Sequence, residues 1–169
     1  MKHAIFAIAA PALALAACSS SDDSSENATT ISGDGYELTI DGDDNDASMV
    51  ITGPDGEATF ESGSGVEPNL PDGWSVYPGA SVQSAINVDS EGEAGTMVVM
   101  QVEADVDDVI EHYREEAEAT DHEIQMELTT ANARIIGGKG PDGSAFSASV
   151  APGAEDGPVT IQLTIGKGD

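Results

Sequence analysis

Apolar and polar residues alternate along most of this chain, and the places where the alternation changes period mark its elements. An unbroken apolar run, Ala4 to Leu15, comes first, followed by a Ser/Asp/Thr stretch from Ser19 to Thr30 with no apolar period. Tyr36, Leu38 and Ile40 then alternate with polar neighbours, as a half-buried strand does. Met49–Thr52 and Ala58–Ser62 read as two more strands, separated by Gly53-Pro54-Asp55-Gly56, where Pro sets φ for a turn and Gly is free to take the left-handed position. The same tetrapeptide recurs as Gly140-Pro141-Asp142-Gly143; two turns of one type explain the recurrence without an internal duplication.

Beyond residue 80 the pattern predicts a larger unit. Val82, Ser84, Ile86 and Val88 alternate, and Met97-Val98-Val99-Met100 is apolar at consecutive positions, as in a central strand covered on both faces. Val106, Val109, Ile110, Tyr113 and Ala117 repeat at helical spacing and predict a helix N-capped by Asp105 and ending near Thr120-Asp121. Glu111–Arg114 and Arg114–Glu118 are spaced to pair on its flank. Four strands follow, around Ile124/Met126/Leu128, Ala133–Ile136, Phe146/Ala148/Val150 and Val159/Ile161/Leu163/Ile165. Strands on both sides of one helix predict an α+β fold: an antiparallel sheet with a single helix packed on one face, preceded by a small β-meander. The organisation expected is a leader at 1–17, a disordered tether at 18–30, the meander at 31–65, a connector at 66–80 and the α+β domain at 81–168.

Met1-Lys2-His3, the apolar run and the small residues Ala16-Ala17 form the three parts of a secretory signal peptide. The run is too short to span a bilayer, which takes about 20 apolar residues. Leu15-Ala16-Ala17-Cys18 resembles a bacterial lipobox, and Cys18 is the single cysteine of the chain. The resemblance implies a diacylglyceryl group on the Cys18 thiol, fatty acylation (palmitate) of the new N-terminus, and export to the cell envelope. Ser19 in place of Asp implies sorting to the outer membrane, facing the periplasm, in a two-membrane cell. The tether, with a mean span on the order of 20 Å, would keep the domain near the lipid.

Composition narrows the partners. Five Lys and Arg stand against 32 Asp and Glu, a formal net charge of −27. Such a chain repels nucleic acid and anionic headgroups, so the expected membrane contact is the lipid on Cys18 alone, with a protein partner in the envelope as the open possibility. The mature part has few aromatic residues, so the core must rest on Val, Ile, Leu, Met and Ala.

The connector is the most distinctive stretch: Leu70-Pro71-Asp72-Gly73-Trp74-Ser75-Val76-Tyr77-Pro78-Gly79-Ala80. Its prolines and glycines forbid helix and restrict strand. Trp74 and Tyr77 read as a plug under one end of the core, with an exposed binding lip as the alternative. From this stretch onward, across roughly residues 66–166, the chain resembles small envelope lipoproteins carrying a Tyr-Pro-Gly-Ala motif, a resemblance that implies architecture and no activity.

Three chemistries compete with this reading. Asp41, Asp43 and Asn45 match positions 1, 3 and 5 of a calcium loop, but Asp46 and Thr52 replace the required Gly and Glu, leaving at most a weak calcium-binding 41–46 turn. Asp108, His112 and Glu116 share one helical line with His122 beyond it, without the spacing of a metal motif. An envelope hydrolase would need a base at His112 or His122, and no Gly-x-Ser-x-Gly elbow is present. No catalytic residue, cofactor or dedicated metal is expected; the chain reads as a non-enzymatic binding or structural module of the cell envelope. The lipobox reading predicts that Cys18→Ser accumulates as an uncut precursor taking up no labelled fatty acid, and continued labelling would refute the anchor.

Overall fold

The computed structural model describes residues 28–42, 46–63, 66–90, 93–154 and 157–166. The leader, Cys18, the tether as far as residue 27, and the loop positions Asp43 and Asn45 lie outside these residues. Ten strands and one helix follow in the order β1 (Thr29–Gly33), β2 (Tyr36–Gly42), β3 (Ala47–Gly53), β4 (Gly56–Ser62), β5 (Ser81–Ser90), β6 (Glu93–Val102), α1 (Val106–Ala119), β7 (Glu123–Thr129), β8 (Arg134–Lys139), β9 (Ala145–Ala151) and β10 (Val159–Gly166). They form one antiparallel sheet in the order β1-β2-β3-β4-β5-β6-β10-β9-β8-β7. The α+β class with one helix on one face holds. The meander, however, is not a small preliminary unit: it runs without interruption through β6, because β4 pairs along its whole length with β5. Thr29 and Thr30, expected in the tether, begin β1 and pair with Ile40 and Thr39. After β6 the helix carries the chain across three strands to the far edge, and β7–β10 return until β10 pairs with β6.

The core lies between α1 and the β6-β10-β9-β8 half of the sheet. Val98 and Met100 of β6, Ile161 and Leu163 of β10, Ala148 and Val150 of β9 and Ile136 of β8 are buried against Val109, Ile110, Tyr113 and Ala117 of α1. The helical stripe read from the sequence is therefore the buried face. Asp105 occupies the N-cap position, but its side chain makes no capping hydrogen bond. At the other end Asp121 takes φ 57, and the Asp121 and His122 amides donate to the Glu118 and Ala117 carbonyls, the paired bonds of a Schellman ending. Arg114 reaches Glu111 at 3.4 Å and Glu127 of β7 at 3.0 Å, and Arg134 pairs with Glu127 and Asp107. Helix and edge strand are thus joined by a charged lattice; the Glu127 hydrogen bond first, then nearby carboxylates, raise the Arg114 pKa.

Two bulges decide which way the apolar residues face. In β5 the register slips between Val82, opposite Met100, and Ser84, opposite Val99. Val82 therefore shares the helix-facing side with the core, while Ile86, opposite Met97, and Val88 point away. One inserted residue has reversed a stripe that reads as continuous in the sequence. A second slip between Ile124 and Met126 in β7 puts Ile124 against the core and Met126 and Leu128 on the other, exposed side. The consecutive apolar residues of β6 are consequently not covered on both faces: Val98 and Met100 are fully buried, whereas Met97 and Val99 are half-buried on the side away from the helix.

Asp121 is a non-glycine residue in the left-handed region, a conformation that costs an L-residue about 1 kcal/mol. Asp121→Gly should raise stability by about that amount, seen as a higher Tm; an unchanged or lower Tm would contradict this description of the helix end.

Candidate functional site: the cleft beside Trp74

The connector is fixed to the helix side of the sheet by polar contacts at both ends. The Thr96 hydroxyl lies 2.6 Å from the Asn69 carbonyl and 3.1 Å from Asn87 Oδ1, and the Asn69 amide donates to Asn87 Oδ1 at 3.3 Å. Further on, Glu116 of α1 accepts the Ser75 hydroxyl at 2.5 Å through Oε1 and the Ser75 amide at 3.3 Å through Oε2. The Tyr113 hydroxyl lies 3.4 Å from the Ser75 carbonyl, and burial, then the charge of Glu116, pushes its pKa well above the usual phenol range. Between these anchors Gly73, at φ 88, turns the chain where a β-carbon would run into Thr120. Beyond them Pro78-Gly79, with Gly79 at φ 81 and the Ala80 amide donating to the Tyr77 carbonyl at 2.9 Å, make the turn that leads into β5.

Trp74 is thereby driven into the core, 7% exposed, its ring 4.9 Å from Phe146 and edge-on to His122 at 5.4 Å. Tyr77 is half-buried and edge-on to His112 at 5.0 Å. Trp74 acts as the expected plug, yet it also borders a cleft. The two histidines are held by different neighbours: His112 Nε2 lies 3.3 Å from Glu116 Oε1 without the alignment of a hydrogen bond, while His122 joins Ser144 and Asp142. Asp108 takes no part in either contact, and Asp41 lies in β2 opposite Ser48. Among the described residues no three His, Cys, Asp or Glu side chains form a metal-holding group.

The Schellman ending places His122, 9% exposed, so that its Nε2 lies 2.9 Å from Ser144 Oγ, and Ser144 Oγ lies 2.5 Å from Asp142 Oδ1. The Ser144 amide donates to the same carboxylate oxygen at 3.0 Å. A carboxylate only accepts, so the serine proton goes to Asp142 and the His122 Nε2–H donates to Ser144. His122 Nδ1 meets Thr120, 2.9 Å from its hydroxyl and 3.1 Å from its carbonyl. This proton order is the reverse of a serine nucleophile, whose proton must go to the imidazole. The cluster is a brace between the helix end and the β8–β9 turn. The Ser144 hydroxyl, then its amide, hold the Asp142 carboxyl below the usual range.

The cleft has a volume of about 900 Å³, within the range of small-molecule sites. Its floor is the helix-facing side of β4 and β5, with Glu57, Thr59, Glu61, Asn87 and Asp89. Its walls are Asn69–Trp74 without Gly73, the helix end with Thr120 and His122, and Pro141, Asp142 and Ser144 of the β8–β9 turn. Five lining residues are carboxylates (Glu57, Glu61, Asp72, Asp89 and Asp142), and none is Lys or Arg. Leu70, Pro71, Trp74 and Ile165 supply apolar surface. Trp74 stands out in the sequence as a large ring on a rigid ribbon; Ser144, Asp142 and Asn87 do not, since only the fold brings them to the cleft.

With this geometry in place, comparison with known proteins adds one similarity. The family model described as START domain-like matches residues 82–162, from β5 through α1 and into β10. No curated protein and no solved structure matches the chain. The similarity is compatible with a non-enzymatic ligand-binding module. It leaves out β4 and the connector, and with them part of the cleft's floor and one wall.

Because the Asp142 carboxyl is depressed in the fold, its contribution to stability is present above the ordinary aspartate range and is lost as pH falls through its folded value. Asp142→Ala should therefore lower Tm at neutral pH, and the gap to the unsubstituted protein should close as pH falls through and below the ordinary aspartate range. A gap that stays constant across that range would contradict the brace.

Proposed function

We propose that the chain is a lipid-anchored protein of the cell envelope, held through Cys18, whose domain binds a small amphipathic ligand with a cationic head in the cleft beside Trp74. The observation that carries the reading is the cleft's lining: five carboxylates and no Lys or Arg on a cavity of about 900 Å³ with a tryptophan in its wall. A cationic head is drawn by those carboxylates and by the net charge of −27. An apolar tail gains from Leu70, Pro71, Trp74 and Ile165 at about 25 cal/mol for each Å² it removes from water. The similarity to START domain-like proteins supports binding in preference to catalysis. The lipobox supports the anchor, the Ser19 rule supports the outer membrane, and the acidic surface disfavours nucleic acid as a partner.

Trp74 is the only tryptophan, so its emission reports occupancy. Titration of the full chain with dodecylamine should change that emission saturably, while dodecanoate at equal concentration should not. Thr59→Phe, which narrows the floor at a half-exposed position, should weaken dodecylamine binding at least about tenfold, a difference of about 1.4 kcal/mol. Equal response to both amphiphiles, or a Thr59→Phe variant that binds as well as the parent, would overturn the reading.

A further inference from the structure

The side of β1–β6 turned away from the helix is apolar and, among the described residues, uncovered. Ile31 of β1 stands opposite Leu38 of β2, Leu38 opposite Ile51 of β3, and Ile51 opposite Ala58 of β4. The next row runs Ile40, Met49, Phe60, Ile86 and Met97. Ile31 is 59% exposed, Ile40 42% and Ile51 40%. Both the helix and the connector lie on the other side, where Thr96 and Asn87 hold the connector and the core meets α1. The charge pattern is as uneven: in a chain with 32 acidic residues among 169, the one charged residue within β1–β6 that stands on this side by register is Glu93, at the end of β6. Glu37, Asp41, Glu57, Glu61 and Asp89 all stand on the opposite one.

We infer that this face packs on the same face of a second copy of the chain, closing a two-layer β-sandwich about a two-fold axis. Rows of Ile, Leu, Met, Val and Ala, with Tyr36 and Phe60 on the same side, are the chemistry of a sandwich interior. Two copies of one sheet have the same twist, the condition for aligned packing at about 10 Å separation, and a two-fold contact needs only a self-complementary patch. Six strands at about 4.8 Å spacing, some seven residues long at about 3.3 Å each, project roughly 650 Å². With side-chain relief this approaches the about 800 Å² that each partner gives to a standard stable interface, and it exceeds the apolar patch most monomers leave in water. Glu37, Asp41, Glu57, Glu61 and Asp89 stand on the outer sides of the sandwich, and Glu93 lies at one end of its strand. Repulsion between two chains of net charge −27 acts at long range, so association strengthens as salt shortens the Debye length.

Sedimentation velocity of the full chain at tens of micromolar tests this. At about 0.5 M salt, where the Debye length is only a few ångströms, the species should have twice the mass of one chain, and the dimer fraction should fall as salt is lowered. Ile51→Glu and Ile40→Glu, at exposed positions, should each leave the circular dichroism unchanged and give a monomer, whereas Thr39→Glu on the opposite face should leave the dimer intact. A monomer at every ionic strength would overturn the inference. So would association that survives both isoleucine substitutions, which would place the contact elsewhere, or a monomer that instead floats with phosphatidylcholine vesicles through this face.

Discussion

A single inserted residue in β5 governs the rest of the molecule. The slip between Val82 and Ser84 lets one strand present its large apolar side chains to both faces of the sheet: before it, Val82 joins the helix-covered core; after it, Ile86 and Val88 point away. Without the slip, Ile86 and Val88 would face the connector, and Asn87 and Asp89 would fall on the uncovered side. The polar surface beside the core would vanish with them. A side-chain period of two makes register an all-or-none choice, so the cleft floor and the apolar outer face follow from one event.

The walls of the cleft depend on a second set of contacts, made between segments far apart in the chain. Glu116 holds Ser75, Thr96 and Asn87 hold Asn69, and the Schellman ending of α1 sets His122 against Ser144 and Asp142. Those at Thr96, His122 and Ser144 pair polar groups that burial would otherwise leave expensive. Trp74 is seated by the same contacts, which is why it can close the core with one side of its ring and border the cleft with the other.

Much of the fold was legible because its elements are strongly periodic. The stripe of α1, the alternation of β10 and the turn at Gly140–Gly143 follow from residue type alone. The continuity of the sheet was not legible, because the connector separates β4 from β5 in sequence and its composition imitates a domain boundary. Nor were the bulges: Val82, Ser84, Ile86 and Val88 give the same string of residues whether or not Gln83 is inserted against the partner strand. At the site, Trp74 stood out as a large ring on a rigid ribbon, whereas Ser144, Asp142 and Asn87 are ordinary turn and strand residues until the fold brings them together. Met97 and Val99 show the related error: consecutive apolar positions imply two apolar faces, but not that this chain covers both.

The reversal of the apolar stripe is most directly tested by methyl–methyl nuclear Overhauser contacts in the full chain. Contacts are expected from Val82 to Met100 within the helix-covered core, and separately from Ile86 to Met97 and from Val88 to Ala58 on the other face. Contacts from Ile86 or Val88 to the methyls of α1 would contradict it.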